Sequence, residues 1–113
     1  AAARGAGRSA VVVFTTAGSR AEAERLALVL VEERLAACVN LIAPLTSVYR
    51  WRGAVERARE VLLMIKTRRT LVPRVAARLQ ALHSYEVPEV IALPVVASAR
   101  PYLAWLLGET GGR

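Results

Sequence analysis

The chain has 113 residues, of which 55% are hydrophobic and 22% are charged, and its formal net charge is +7. This length is typical of one domain, and this apolar content excludes a disordered chain. The 16 basic side chains are spread over several segments, so they indicate a solvated basic surface and no dedicated nucleic-acid face. The longest apolar runs are too short to span a membrane.

Two features of the sequence bear on the cellular compartment: the single cysteine and the first eight residues. Cys38 has no partner for an intramolecular disulfide, so a reducing, cytoplasmic environment is expected. The opening stretch AAARGAGR predicts a flexible segment over 1–8, followed by a single domain over 9–113. If that stretch is the end left by a removed transit peptide, the chloroplast is the alternative location.

The first elements are a strand and a helix. The β-rich run from Ser9 to Ala17 predicts a buried strand. Ser19 and Glu22 then have the spacing of a capping box, which predicts the start of a helix that extends to about Leu35.

A long hairpin follows. The run ACVNLIAPL predicts a second strand, in which Pro44 marks an edge or a bulge because proline cannot donate to a ladder. The chain continues as TSVYRW, turns near Arg52 and Gly53, and returns through AVERAREVLLMIKT.

The last third predicts a helix, a strand and a short helix. Thr70 is expected to cap the second helix, with Pro73 in its first turn. After the loop HSYEVP, the run EVIALPVV predicts a strand closed by Pro94, and PYLAWLL predicts a final helix that ends at Gly108. The order β-α-β-β-α-β predicts an α+β fold: a ferredoxin-like sandwich with a long β-hairpin and an extra C-terminal helix.

The third strand, EVLLMIKT, is apolar on both of its faces. Two helices can cover only one face of a four-stranded sheet, so the other face needs further cover, and a partner subunit is the simplest source. This strand carries no aromatic residue, which argues against the base-stacking platform of an RNA-recognition domain.

Candidate chemistry is sparse. Cys38 is the only thiol and His83 the only imidazole, which is too few for a metal site within one chain. If subunits pool these ligands, they would select a soft or borderline ion such as copper or zinc. The alternatives are a buried, unreactive Cys38 and a His83 that only ends a helix. No motif of a hydrolase or of a phosphate-binding loop is present, so we expect no enzymatic activity.

Five segments carry a resemblance to a known family: RLAACVNLI, SVYRWRG, EVLLMIKT, HSYEVPEVIALPV and YLAWL. In this order and spacing, from Val11 to about Glu109, the chain resembles the CutA family of divalent-cation tolerance proteins. The resemblance implies a homotrimer in which the long hairpin reaches across to a neighbour. It also implies copper or another divalent ion as the ligand.

The resemblance also implies site residues. Cys38 matches the thiol of the LAAC motif and His83 matches the loop motif, and these two residues remain the candidate metal ligands. The residues implied for a ligand-binding cleft between subunits are Tyr49, Trp51, Glu60, Lys66, Tyr85, Glu89 and Trp105. Some bacterial members have a cysteine in the first strand that is implicated with copper, and Thr15 stands in that place here.

An alternative function remains open on the same trimer. CutA trimers resemble the PII signalling proteins, which bind small effectors between subunits. A PII-like sensor of a small anion would draw its positive charge from Arg68, Arg69 and Arg74, near the start of the second helix.

Overall fold

The computed structural model describes residues 9–111, so the predicted flexible segment over 1–8 lies outside the described residues. Within this range the elements are β1 (Ala10–Ala17), α1 (Arg20–Glu32), β2 (Cys38–Trp51), β3 (Ala54–Arg68), a 3₁₀ turn (Arg69–Leu71), α2 (Val72–Leu82), β4 (Ile91–Pro94) and α3 (Arg100–Gly108).

The strands form one antiparallel sheet in the order β2-β3-β1-β4. Helices α1 and α2 cover one face of it, which we call the helix face. Alternate residues of β1 and β3 point into this face and pack against both helices, because side chains on a strand alternate between faces. The fully buried core residues are Val13, Leu63, Ile65, Leu26, Leu30, Val75 and Leu79. The predicted α+β fold with four strands and three helices is confirmed.

The hairpin of β2 and β3 extends beyond the rest of the sheet. Strand β1 pairs with β3 only over Val61–Arg68, whereas β2 continues to pair with β3 as far as the Trp51 and Ala54 pair. The distal part is therefore a two-stranded arm. Its tip is the predicted turn, in which Arg52 (φ 50°) and Gly53 (φ 84°) both have positive φ, as in a type I′ hairpin. The register shifts between Ile42 and Leu45, which confirms the bulge expected at Pro44.

The second face of the sheet is only partly covered. Helix α3 packs over one end of it through Leu103 and Leu106, which contact Ala10. Elsewhere apolar side chains remain accessible in the single chain, among them Ile42, which is 48% exposed, and Ile91. A sheet with two apolar faces therefore leaves part of the second face for another surface to cover.

Two predicted helix ends are wrong. Helix α1 ends at Glu32 and not near Leu35, because Arg34 adopts a positive φ of 61° and the N–H of Leu35 turns back to the carbonyl of Leu30. Thr70 caps no helix, because it lies inside the 3₁₀ turn that leads into α2, and neither segment has a side-chain cap.

The predicted capping box at Ser19 is half right. The Ser19 hydroxyl accepts the N–H of Glu22 at 3.1 Å, as expected of a cap. The Glu22 carboxylate does not return to Ser19; it accepts both the N–H and the hydroxyl of Ser84. The Glu22 carboxylate thus forms a long-range contact with Ser84 in place of the local bond to Ser19, and this contact holds the loop after α2.

Candidate functional site

A cavity of about 610 Å³ lies at the root of the hairpin arm, on the second face of the sheet. Strands β1, β2 and β3 supply one wall, and the loop between α2 and β4 supplies the other. The residues that line it are Thr16, Ser47, Val48, Tyr49, Trp51, Glu60, Tyr85, Glu86, Val87 and Glu89. We call it the acidic cavity, because its three charged residues, Glu60, Glu86 and Glu89, are all carboxylates.

The acidic cavity brings together five of the seven residues expected in a ligand-binding cleft: Tyr49, Trp51, Glu60, Tyr85 and Glu89. Lys66 and Trp105 are not among its lining residues. Lys66 lies further along β3 and donates to the Asn40 side chain on β2. Trp105 lies on α3, where its ring is 5.5 Å from that of Tyr102.

The polar centre of the cavity is the pair formed by Tyr85 and Glu60. The Tyr85 hydroxyl donates to Glu60 Oε2 at 2.6 Å, and Glu60 is only 8% exposed. Burial raises the pKa of Tyr85, and the hydrogen bond and charge of Glu60 raise it further, so the phenol stays neutral and donates. Partial burial also raises the pKa of Glu89, and the negative charge of Glu60 adds to this. The repulsion between the two carboxylates therefore disfavours the charged form of Glu89.

The loop that carries Tyr85 is held by His83. His83 Nε2 donates to the carbonyl oxygen of Thr16 at 2.7 Å, and Nδ1 accepts the N–H of Tyr85 at 3.0 Å. The ring that accepts at one nitrogen and donates at the other is the neutral imidazole. On the other side, the buried Glu22 carboxylate accepts the Ser84 N–H at 2.8 Å. These bonds fix the loop against β1 and α1 and so place Tyr85 over Glu60.

The structure does not bring Cys38 and His83 together within one chain. The His83 side chain is 0% exposed, and both of its nitrogens are bonded inside the fold. Cys38 lies opposite Lys66, whereas Thr16, which binds His83, lies opposite Leu62. Lys66 and Leu62 are four residues apart on β3, which corresponds to about 13 Å along the strand. Among residues 9–111, no group of three or more His, Cys, Asp and Glu side chains could hold a metal ion.

On β1, the residue that faces the acidic cavity is Thr16. Thr15, at the position expected from the cysteine of bacterial members, is fully buried, and its hydroxyl has no partner within the described part of the chain. It alternates with Thr16 and points into the helix face with Val13. Sequence reasoning missed Thr16, although strand parity from the buried Val13 would have found it.

Glu86 was also missed, although it follows Tyr85 directly. Its carboxylate forms an exposed ion pair with Arg52 from the tip of the arm at 2.9 Å. The signal in the sequence was a second carboxylate in the short segment 85–89, whose first and last residues were already candidates. The lining thus contains three carboxylates and no Lys, Arg or His, and Arg52 reaches one of these carboxylates, that of Glu86, from the tip of the arm.

The arginines expected to bind an anion lie at the opposite end of the sheet. A second cavity, of about 450 Å³, lies between the end of β3, the start of α2 and the end of α3. Arg68 and Arg74 line it, whereas Arg69 does not. We call it the arginine cavity. No helix within residues 9–111 is long and apolar enough to cross a membrane.

The chain matches the family model described as CutA1 divalent ion tolerance protein over residues 11–109. It is 49% identical over 100 residues to the divalent-cation tolerance protein CutA of Thermus thermophilus, an alignment that covers 88% of this chain and 97% of the relative. It is 44% identical over 100 residues to the chloroplastic protein CutA of Arabidopsis thaliana, but it spans only 55% of that relative's length.

Solved structures agree with this assignment. The Thermus thermophilus protein superposes with a TM-score of 0.88 at 48% identity, over 90% of this chain and 99% of that one. CutA1 from Oryza sativa superposes with a TM-score of 0.90 at 40% identity, over 96% and 99% of the two chains. The Archaeoglobus fulgidus protein, named a periplasmic divalent cation tolerance protein, gives 0.83 at 37% identity, over 86% and 94%. The chain therefore belongs to the CutA1 divalent ion tolerance protein family.

Proposed function

We propose that this protein binds a divalent cation, copper foremost, in the acidic cavity, and that a homotrimer completes the site. The observation that carries this proposal is a cavity with three carboxylates and no basic side chain among its lining residues. CutA proteins are not known as enzymes, so the function is one of binding.

The residues of the cavity fit a cation. Glu60 and Glu89 are coupled by their charges, and a positive ion between them would replace repulsion with attraction. Tyr85 fixes one oxygen of Glu60 by its hydrogen bond, which holds the carboxylate in place before an ion arrives. Since residues 9–111 of one chain hold no cluster of three ligands, water or a neighbouring copy must supply the remaining donors.

The donor set bears on which ion binds. Carboxylate and hydroxyl oxygens are ligands for many divalent cations, and they do not by themselves select a soft ion. Among first-row divalent ions, Cu²⁺ binds a given set of donors most tightly. We therefore expect copper to bind more tightly than zinc. We do not expect His83 to bind either ion, because its nitrogens are used inside the fold.

The homotrimer is supported by what the single chain leaves open. The arm is a two-stranded ribbon with exposed Val48, Val55 and Trp51, and isolated ribbons of this kind are marginally stable in water. Strand β4 pairs only with β1 among the described strands and exposes Ile91 and Leu93 at the sheet edge. A second copy whose arm lies along these surfaces would bury both.

The alternative, a PII-like sensor of a small anion, receives no support from the acidic cavity. An anion there would face Glu60 and Glu89 without a neutralising residue in the lining. The arginines of that hypothesis lie elsewhere, so any anion site must be a separate one.

For the compartment, we propose the cytoplasm, because a single cysteine suits a reducing environment. The chloroplast is the alternative, since the Arabidopsis thaliana relative is named chloroplastic.

Replacement of both coupled carboxylates tests the cation site. In a Glu60→Gln, Glu89→Gln double variant, Cu²⁺ affinity should fall about 100-fold, because two charged ligands are lost while shape is kept. A matched control is Glu24→Gln, Glu32→Gln, which removes the same charge from the exposed surface of α1. Isothermal titration calorimetry measures all three. Equal affinities of the parent and the cavity variant would refute the site.

A further inference from the structure

The arginine cavity is built by three segments that meet at the far end of the sheet. Arg68 ends β3, Thr70 lies in the 3₁₀ turn and Arg74 follows in α2. The end of α3 closes the other side. The full lining is Arg68, Thr70, Leu71, Arg74, Leu107, Gly108, Thr110 and Gly111, so it contains two arginines, two hydroxyls and no carboxylate.

Arg68 is held in a fixed position in this cavity. Its Nε donates to Thr110 Oγ1 at 3.0 Å, and its Nη2 donates to the carbonyl oxygen of Leu107. Thr110 in turn donates to the carbonyl oxygen of Leu106 at 3.0 Å. A guanidinium has five N–H donors, so these bonds leave three for another acceptor. The side chain has therefore already lost much of its conformational entropy before a ligand binds.

Arg74 is the complementary case. It is exposed, and the described part of the chain gives it no hydrogen bond or ion pair. The acidic side chain of Glu33 lies near enough for Arg74 to lower its pKa, but its two oxygens are bound by Arg78 at 2.9 and 2.7 Å. Glu109 lies in sequence between Gly108 and Thr110, which line the cavity, and its carboxylate pairs with Arg34 at 3.6 Å. The two neighbouring carboxylates thus have other partners, and the charges on Arg68 and Arg74 are left for an incoming anion.

We propose that the arginine cavity binds the phosphate group of a small phosphorylated metabolite. Guanidinium groups bind phosphate oxygens through paired, charge-assisted hydrogen bonds, and the Thr70 hydroxyl adds a further donor. The volume of about 450 Å³ exceeds what a bare phosphate needs and lies in the range of small-molecule sites. Leu71 and Leu107 give the remainder of the ligand an apolar wall. This site is independent of the acidic cavity and does not rest on the proposed cation binding.

The test compares two arginines that differ in their position relative to the cavity. Arg74→Gln removes a charge that lines it, and Arg69→Gln removes a charge from the neighbouring exposed surface that does not. Neither side chain has a described bond, so both variants should fold. Inorganic phosphate, glucose 6-phosphate and glucose are titrated into the metal-free full chain by isothermal titration calorimetry. Vesicles that contain phosphatidic acid form a separate arm.

The parent should bind inorganic phosphate, should bind glucose 6-phosphate more tightly, and should not bind glucose. Arg74→Gln should weaken binding about tenfold, as expected for one charged hydrogen-bond donor, and Arg69→Gln less than about twofold. Equal losses in the two variants would overturn the site, because they would indicate attraction by the general positive charge. Binding to the vesicles without binding to glucose 6-phosphate would overturn the assignment to a soluble metabolite. A parent that binds no phosphate at about 10 mM would also overturn the proposal.

Discussion

Two positions on β3 present opposite charges on one face of the sheet. Glu60 begins the part of the strand that joins the sheet and lines the acidic cavity, and Arg68 ends the strand and lines the arginine cavity. Eight residues separate them, which is about 27 Å along a strand, and the even spacing places both side chains on the same face. A net charge of +7 would suggest an anion partner for the whole surface. A ligand responds to the charges that line its cavity, and the net charge of the whole chain does not give the sign of those charges.

The two cavities also differ in how they are closed. The wall of the arginine cavity comes from α3 of the same chain, held by the bonds of Arg68. The acidic cavity is bounded by an arm and a loop, and its aromatic residues Tyr49 and Trp51 stay exposed in the single chain. We therefore predict that the proposed trimer depends on the end with the acidic cavity far more than on the end with the arginine cavity.

The largest effect on the proposed assembly is expected from one of the two tryptophans, Trp51. Trp51 on the arm and Trp105 on α3 are 39% and 44% exposed, so they form a matched pair. Trp51→Ala should weaken the proposed trimer by about 2 kcal/mol, or about 30-fold in dissociation constant, because the proposal places this ring at the subunit interface. Trp105→Ala should change it much less. Sedimentation of both variants measures the difference, and equal dissociation of the two would place the interface elsewhere.

A gain of function of about tenfold is expected from a new thiol on β1. Thr16→Cys places a soft ligand in the acidic cavity, so its affinity for Cu²⁺ or Zn²⁺ should rise about tenfold. Thr15→Cys is the matched control, since its side chain points into the helix face. Anaerobic titrations with Zn²⁺, which does not oxidise a thiol, compare the two variants. A larger gain from Thr15→Cys would show that the cation binds on the other side of β1.

A smaller, pH-dependent effect is expected from Glu89. Because its pKa is raised, its carboxylate takes up a proton at a higher pH than an ordinary glutamate, and the cation loses a ligand there. Cu²⁺ affinity should therefore fall as the pH drops through this raised pKa, and Glu89→Gln should flatten that dependence. Titrations at a series of pH values test it. An unchanged pH profile in Glu89→Gln would mean that another group controls binding.

The raised pKa of Glu89 also predicts the direction in which the stability of the metal-free protein changes with pH. A carboxylate that holds its proton more tightly in the folded state destabilises the fold as the pH rises through its folded-state pKa. The metal-free protein should lose a little stability in that window, and Glu89→Gln should abolish the loss. The effect is small because Glu89 is partly exposed, and chemical denaturation at several pH values measures it.

Local sequence patterns predicted those features of the fold that depend on one or two neighbouring residues. The Arg52 and Gly53 turn, the bulge at Pro44 and the Ser19 cap each follow from the chemistry of one or two residues. The end of α1 did not, because Arg34 takes a left-handed conformation that sequence patterns assign to glycine or asparagine.

The site was predictable where periodicity and neighbourhood in sequence agreed. Tyr49 and Trp51 share a face of β2, and the loop from Tyr85 to Glu89 supplies its residues together. The resemblance implied Lys66 and Trp105 together with these residues, but the two do not line the cavity. No local rule shows that β3 carries Lys66 past the cavity or that α3 lies at the far end. The bond from Glu22 to Ser84 joins residues 62 apart in sequence, and only the folded chain shows it.

The most direct test of two cavities with opposite charge preference is a crossed titration. Cu²⁺ and inorganic phosphate are titrated separately into the parent, the Glu60→Gln, Glu89→Gln variant and the Arg74→Gln variant. We predict that the first variant loses about 100-fold in copper affinity and keeps its phosphate affinity, and that the second loses about tenfold in phosphate affinity and keeps its copper affinity. If either variant loses both ligands to the same extent, or if the glutamate variant still binds copper like the parent, the two cavities are not the separate sites described.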